Sequence, residues 1–188
     1  TDYDVVDFGV REVSIGWHGN VTLVRRGMEV FSTSRVKLPA LEPRGATLTI
    51  VRAGDLVLRV VGMHLGLIGL WRKRQANAVL ATLEAQEAHQ PTVLMGDLNE
   101  WTTNGSCMAA FKRHHHVAET GPSFHSKRPL VALDRIMTSL DLEIVDAGVH
   151  TSVNARSASD HLPIWAVVAP ISRLTARAGQ ETTSDERV

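Results

Sequence analysis

Three runs rich in Val, Leu, Ile and Thr stand out in the first third of the chain: NVTLVRR (20–26), ATLTIVRA (46–53) and LVLRVVGMHL (56–65). Branched and aliphatic side chains fit a pleated, half-buried surface, so each run predicts a strand. Ala53-Gly54-Asp55-Leu56 between the last two is a tight-turn sequence and predicts a hairpin. From Leu70 to His89 the period changes. Ala76, Val79, Leu80 and Leu83 fall on one helical face, while Arg72, Lys73, Glu84 and Glu87 lie off it. Pro91 stops that helix, and an apolar strand follows over 92–96. Gly105 to Arg113 reads as a shorter helix, and residues 117–130, with Gly121, Pro122 and Pro129, as a long loop. LDRIMTS (133–139), LEIVDAGV (142–149) and LPIWAVVA (162–169) are three further strands. The polar end of the chain, 171–188, closing in GQETTSDERV, is expected to be a disordered tail.

Strands outnumber helices, which predicts a mixed α/β domain over 1–170. Two packed sheets with helices outside bury both kinds of apolar face. The 188 residues suffice for one sizeable core. Lys+Arg and Asp+Glu balance at 20 each, so no global basic field announces a nucleic-acid or membrane partner. The single cysteine, Cys107, excludes an internal disulfide. No stretch has the length of a membrane span and no signal-peptide pattern opens the chain; a cytoplasmic monomer is expected.

Four apolar strands end in groups that bear chemistry: GMHLGL with His64, MGDLNEW with Asp97 and Asn99, ALDRIM with Asp134, and ASDHLPIW with Asp160 and His161. Each alone has an ordinary reading. His64 fits a core histidine bonded to a carbonyl, and Asp97 with Asn99 an Asx turn. Asp134 fits a surface pair with Arg135, and Asp160 a cap before the last strand. Together they point elsewhere. Alternation puts Asp97 and Asn99 on one side of their strand. Hard oxygen ligands without a cysteine cluster suit Mg²⁺ or Mn²⁺. A histidine with a carboxylate to orient it, His161 with Asp134, suits acid/base work. The set reads as metal-assisted hydrolysis of a phosphate ester.

The ordered series GMHLGL, PTVLMGDLNEW, LDRIM, SDHLPIW resembles the endonuclease/exonuclease/phosphatase superfamily from about Gly19-Asn20 to Val168. The resemblance implies a four-layer α/β/β/α sandwich of two mixed sheets with the site at one edge. It implies Asp160 as a metal-ligand carboxylate, His161 as the catalytic histidine beside the scissile phosphate, and Asp134 as the carboxylate orienting it. Asp97 would handle the proton of the attacking water or leaving group, Asn99 would hold nucleophile or phosphate, and His64 would bond a phosphate oxygen. Asn20 and Arg44 would line the cleft for substrate. The implied activity is Mg²⁺- or Mn²⁺-dependent hydrolysis of a phosphodiester (a small molecule, a lipid headgroup or nucleic acid) in preference to a phosphomonoester; a DNA nuclease and a catalytically dead phosphate-binding domain are the alternatives. Met63 and Gly62 stand where the family usually has Thr and Asn. The family's opening unit, a strand with Asn, a helix and a strand ending in a metal-binding Glu, is not found, and Glu12 lies too near Gly19-Asn20 to replace it. An incomplete N-terminal part, and with it weak activity, is therefore expected.

Other tempting groups read as structural. Consecutive His114, His115 and His116 cannot converge on one ion from a regular element, and they follow Lys112-Arg113 at a helix end. Cys107 reads as a small buried residue. Trp71, Trp101 and Trp165 read as core or cleft wall rather than as base-stacking platforms, in a chain only 5% aromatic, and Trp71-Arg74 as a solvated first helical turn.

Overall fold

The structure is a computed structural model and describes residues 2–10, 14–39 and 41–171. Glu12 and the expected tail beyond Ile171 lie outside those residues. The centre is a six-stranded mixed sheet. Its strands are β3 (Val30–Lys37), β4 (Gly45–Ala53), β5 (Leu56–His64), β6 (Thr92–Asp97), β8 (Asp134–Ser139) and β7 (His115–Val117), ordered β3-β4-β5-β6-β8-β7. Only β5 and β6 run parallel, joined through helix α1 (Gly69–Glu84) as a crossover; the other pairs are antiparallel. The expected β4–β5 hairpin forms, with Gly54 at φ 63° in its turn.

Alternation along the strands sorts side chains to two faces. On one face Leu48, Val61, Met63, Leu94 and Met137 pack against Ala76 and Val79 of α1. Cys107, Met108 and Phe111 of α2 (Ser106–Phe111) complete that layer. On the other face Val51, Leu58, Val93 and Ile136 meet Leu142, Ile144, Ile164 and Ala166. Those come from β9 (Leu142–Val149) and β10 (Ile164–Pro170), an antiparallel pair. The α/β class with stacked strand layers is as expected. On this second side the described residues form two narrow ribbons, β9–β10 and β1–β2 (Tyr3–Val5 with Leu23–Arg25).

β1 and β7 are short strands that no apolar run announces, and three further elements differ from expectation for visible reasons. The run 20–26 yields only β2, because Asn20 is drawn into a turn with Trp17. β3 escapes the periodicity because it is polar and largely exposed, with only Val36 buried; its ladder to β4 holds it. α3 (Val153–Ala158) is too short to show a helical period and is set by Ser152, whose hydroxyl accepts from Ala155 N–H at 3.1 Å.

Candidate active site

His64 ends β5, Asp97 ends β6 and Asp134 opens β8. The ladder pairs His64 with Asp97, and Asp97 with Asp134. Directly paired residues share a face, so the three side chains stand in a row on the β9–β10 side. Gly96 lets this happen. It sits at φ 142°, and a Cβ there would lie 1.8 Å from the Met63 carbonyl oxygen. His161 enters from the segment before β10. Its Nδ1 is 2.8 Å from Asp134 Oδ2 and its Nε2 4.0 Å from Asp97 Oδ2. On the far side of Asp97, His64 Nε2 is 3.5 Å from the same Oδ2. Ser123 Oγ donates to Asp134 Oδ2 at 2.5 Å, holding the carboxylate from behind.

The two imidazoles titrate in opposite directions. Burial disfavours the charge of His161, but the hydrogen bond and charge of Asp134, with the charges of Asp97 and Asp160, outweigh it and raise its pKa. Burial lowers the pKa of His64, and Arg44, whose guanidinium lies 2.6 Å from His64 Nε2, lowers it further. Burial pushes the Asp97 carboxyl up, reinforced by the neighbouring Asp134 charge and opposed by the Asn99 N–H and the two histidines.

Asn99 lies beyond the end of β6, so alternation no longer places it beside Asp97. It adopts φ 49°, donates its side-chain amide to the Leu65 carbonyl at 2.9 Å, and gives its backbone N–H to Asp97 Oδ1 at 2.8 Å. The Asx turn and the site are thus one feature. Arg44 is at the site, tied to Glu42 at 3.1 Å and to His64. Asn20 borders the same region, but its Nδ2 is spent on the carbonyls of Trp17, His18 and Gly45. Asp160 is exposed and stands outside the converging group; its backbone carbonyl accepts from Ser126 N–H at 2.7 Å. Arg135 is no surface partner of the Asp134 carboxylate: it is buried and bonds the carbonyls of Ala132 and Asp134.

The sequence missed one pair. Arg72, placed by periodicity on the solvated side of α1, is buried and faces the equally buried Glu100 at 3.4 Å. Arg72 also donates to the carbonyl of Leu67 at 2.6 Å, while Glu100 accepts from Thr102 N–H, Thr102 Oγ1 and Cys107 Sγ. The signal was Glu100 following Asp97 and Asn99 so closely: a third polar side chain at a strand end needs a partner. This pair pins the segment 98–102 against the loop 65–68.

Asp97, Asp134 and His161 each offer a ligand atom within 4.8 Å of the others. Two carboxylates and an imidazole at that spacing fit a divalent cation. The Endonuclease/Exonuclease/phosphatase family profile matches residues 3–161, and the chain belongs to that family. Members of the superfamily are hydrolases of phosphoester bonds and are generally divalent-metal dependent. Among solved structures, the endonuclease/exonuclease/phosphatase from Bacteroides vulgatus shares 17% identity and a TM-score of 0.74, over 90% of this chain and 77% of that one. The Bacteroides thetaiotaomicron mannosyl-6-phosphatase shares 19% identity at TM-score 0.72, over 89% and 77%. D. rerio TDP2 complexed with single-strand DNA product shares 14% identity at TM-score 0.69, again over 89% and 77%. No curated protein matches the sequence. No helix among the described residues is long and apolar enough to cross a membrane.

Proposed function

We propose that the protein is a Mg²⁺- or Mn²⁺-dependent phosphodiesterase that uses an activated water. The observation that carries this reading is the row His64–Asp97–His161, with His161 held by Asp134 at 2.8 Å. Asp97, whose carboxyl pKa is raised by burial, suits the role of base for the attacking water. His161 carries a proton more readily than a free imidazole and donates from Nε2 to a phosphoryl oxygen, because Asp134 occupies Nδ1. Arg44 and His64 face the remaining oxygens, and a planar guanidinium grips a phosphate through two parallel hydrogen bonds. Asn99 holds Asp97 in place through its backbone N–H. Asp97 and Asp134 would hold the cation. When bound, it supplies positive charge to the phosphoryl and leaving oxygens.

The test is hydrolysis of bis(p-nitrophenyl) phosphate with Mg²⁺ or Mn²⁺, beside EDTA and an Asp97→Asn control, with p-nitrophenyl phosphate as the monoester. Metal-dependent release from the diester, abolished in the variant, is expected. Turnover that survives EDTA or the substitution defeats the proposal.

A further inference from the structure

The buried arginines differ in what they pair with. Arg72 faces the carboxylate of Glu100. Arg135 is as deeply buried, at 6% exposure, but among the described residues no carboxylate forms an ion pair with it. Its bonds run from Nη1 to the carbonyls of Ala132 and Asp134. Burial lowers its pKa, opposed only at longer range by the charges of Asp134, Cys107, Glu100 and Asp97. A guanidinium held on carbonyls alone has lost its water without gaining a counter-charge. Arg59 is likewise buried on a carbonyl, that of Ala88, but Arg135 also lines a cavity.

That cavity, of about 610 Å³, lies between the end of α2 and the segment 115–121. Strand alternation puts Arg135 on the face of β8 opposite to Asp134, so the cavity stands behind the catalytic row. Lys112 and His115 line it with Arg135. Lys112 Nζ donates to the Thr103 carbonyl at 2.7 Å and to Asn104 Oδ1, and its ammonium keeps a further donor. His115 Nδ1 donates to the Phe111 carbonyl at 3.1 Å, and burial lowers the pKa of the ring. The neutral imidazole that results offers Nε2 as an acceptor. The acidic residue of the lining, Glu119, is exposed. A guanidinium and an ammonium call for an oxyanion, and an imidazole acceptor calls for one that still carries a proton. A hydrogen phosphate group satisfies both, whereas sulfate brings only charge.

We infer that this cavity is a second anion site, separate from the catalytic centre, which binds a hydrogen phosphate group between Arg135, Lys112 and His115. The inference does not rest on the phosphoesterase reading. The volume admits either inorganic phosphate or the phosphate of a small phosphomonoester. Because Arg135 also holds the Asp134 carbonyl, an anion drawn to its guanidinium acts on the strand that carries the orienting carboxylate.

The test follows the ring NMR signal of His115 in the metal-free full chain, so that phosphate at the catalytic centre is not counted. The signal is assigned by its loss in His115→Gln. Inorganic phosphate, ribose 5-phosphate, sulfate and chloride are titrated at one ionic strength and neutral pH. Phosphate is expected to shift the signal saturably and to bind several-fold more tightly than sulfate. Lys112→Ala, at an exposed position and with melting curves as a check on folding, is expected to weaken phosphate about tenfold. Arg135→Gln is expected to abolish binding; as loss of a buried arginine can unfold the chain, Lys112→Ala carries the decision. Tighter ribose 5-phosphate would identify the ligand as a phosphomonoester, and equal or tighter inorganic phosphate as the free ion; both support the site. The absence of a saturable shift, as a carboxylate of the chain seated on Arg135 would produce, overturns it. So does a shift that sulfate or chloride reproduces at equal affinity, or an affinity unchanged in Lys112→Ala.

Discussion

His64 and His161 stand on either side of one carboxylate, Asp97, yet they behave as different groups. His161 faces three acidic side chains and is hydrogen-bonded by Asp134, so it favours the imidazolium. His64 is lowered first by burial and then by Arg44 at 2.6 Å, so it favours the neutral ring although Asp97 is as close to it as to His161. The same side chain is tuned in opposite senses by what lies behind it, and that assigns the proton to one side of the centre. A site read only as a list of residue types would miss this polarity.

The comparison is tested most severely where the two histidines meet. His161→Ala or Asp97→Asn is expected to lower kcat/KM for bis(p-nitrophenyl) phosphate by about 10³-fold, the range of a lost acid or base. The double variant should be scarcely worse than either single one, because the groups act as a unit. Multiplying losses would show that they do not. Asp134→Asn removes the orienting charge and is expected to cost roughly 10–100-fold, with the His161 pKa, followed by NMR, falling toward or below 6.5. An unmoved His161 pKa would break the assignment. His64→Gln is expected to be milder, about tenfold, chiefly in KM, as befits one hydrogen bond to a charged group.

The smallest effect concerns stability against pH. His161 has its pKa raised on folding, so its contribution is complete below the ordinary value of 6.5 and is lost as pH rises through the folded pKa. His64 has its pKa lowered, so the unfolded chain binds its proton more readily and stability falls as pH drops from 6.5 through the folded value. Melting temperatures measured from pH 5 to 8 should therefore flatten above about 6.5 in His161→Gln and below it in His64→Gln. Identical profiles for the two variants would remove the contrast.

Much of this was legible in the sequence, for stated reasons. The β4–β5 hairpin and β6 announce themselves because burial writes a continuous apolar pattern into consecutive residues. The quartet His64, Asp97, Asp134 and His161 was legible because polar groups ending apolar strands conflict with core building. The rest depended on contacts between distant segments. Arg72 shows no local sign of burial, since its partner Glu100 lies on another loop and only the ion pair compensates its charge. Asn20 and Asn99 are both amides near the site. The carbonyls that bind their side chains belong to the 17–18 turn, Gly45 and Leu65, and no spacing rule brings those together. Trp101 was read as core or cleft wall; it is not core, since the fold leaves it 59% open to solvent.

Cys107 turns the anchored loop into something that can be timed. It is the chain's one thiol, is buried under Glu100, and has its pKa pushed up to about 11 by burial and by that carboxylate. In the folded state it is therefore nearly silent toward thiol reagents at neutral pH. Labelling can proceed only while the segment over it is lifted, so its rate against an unfolded control counts local openings of the platform that carries Asn99 and Trp101. The protein contains its own clock for the motion of its active-site rim, without a probe having to be introduced.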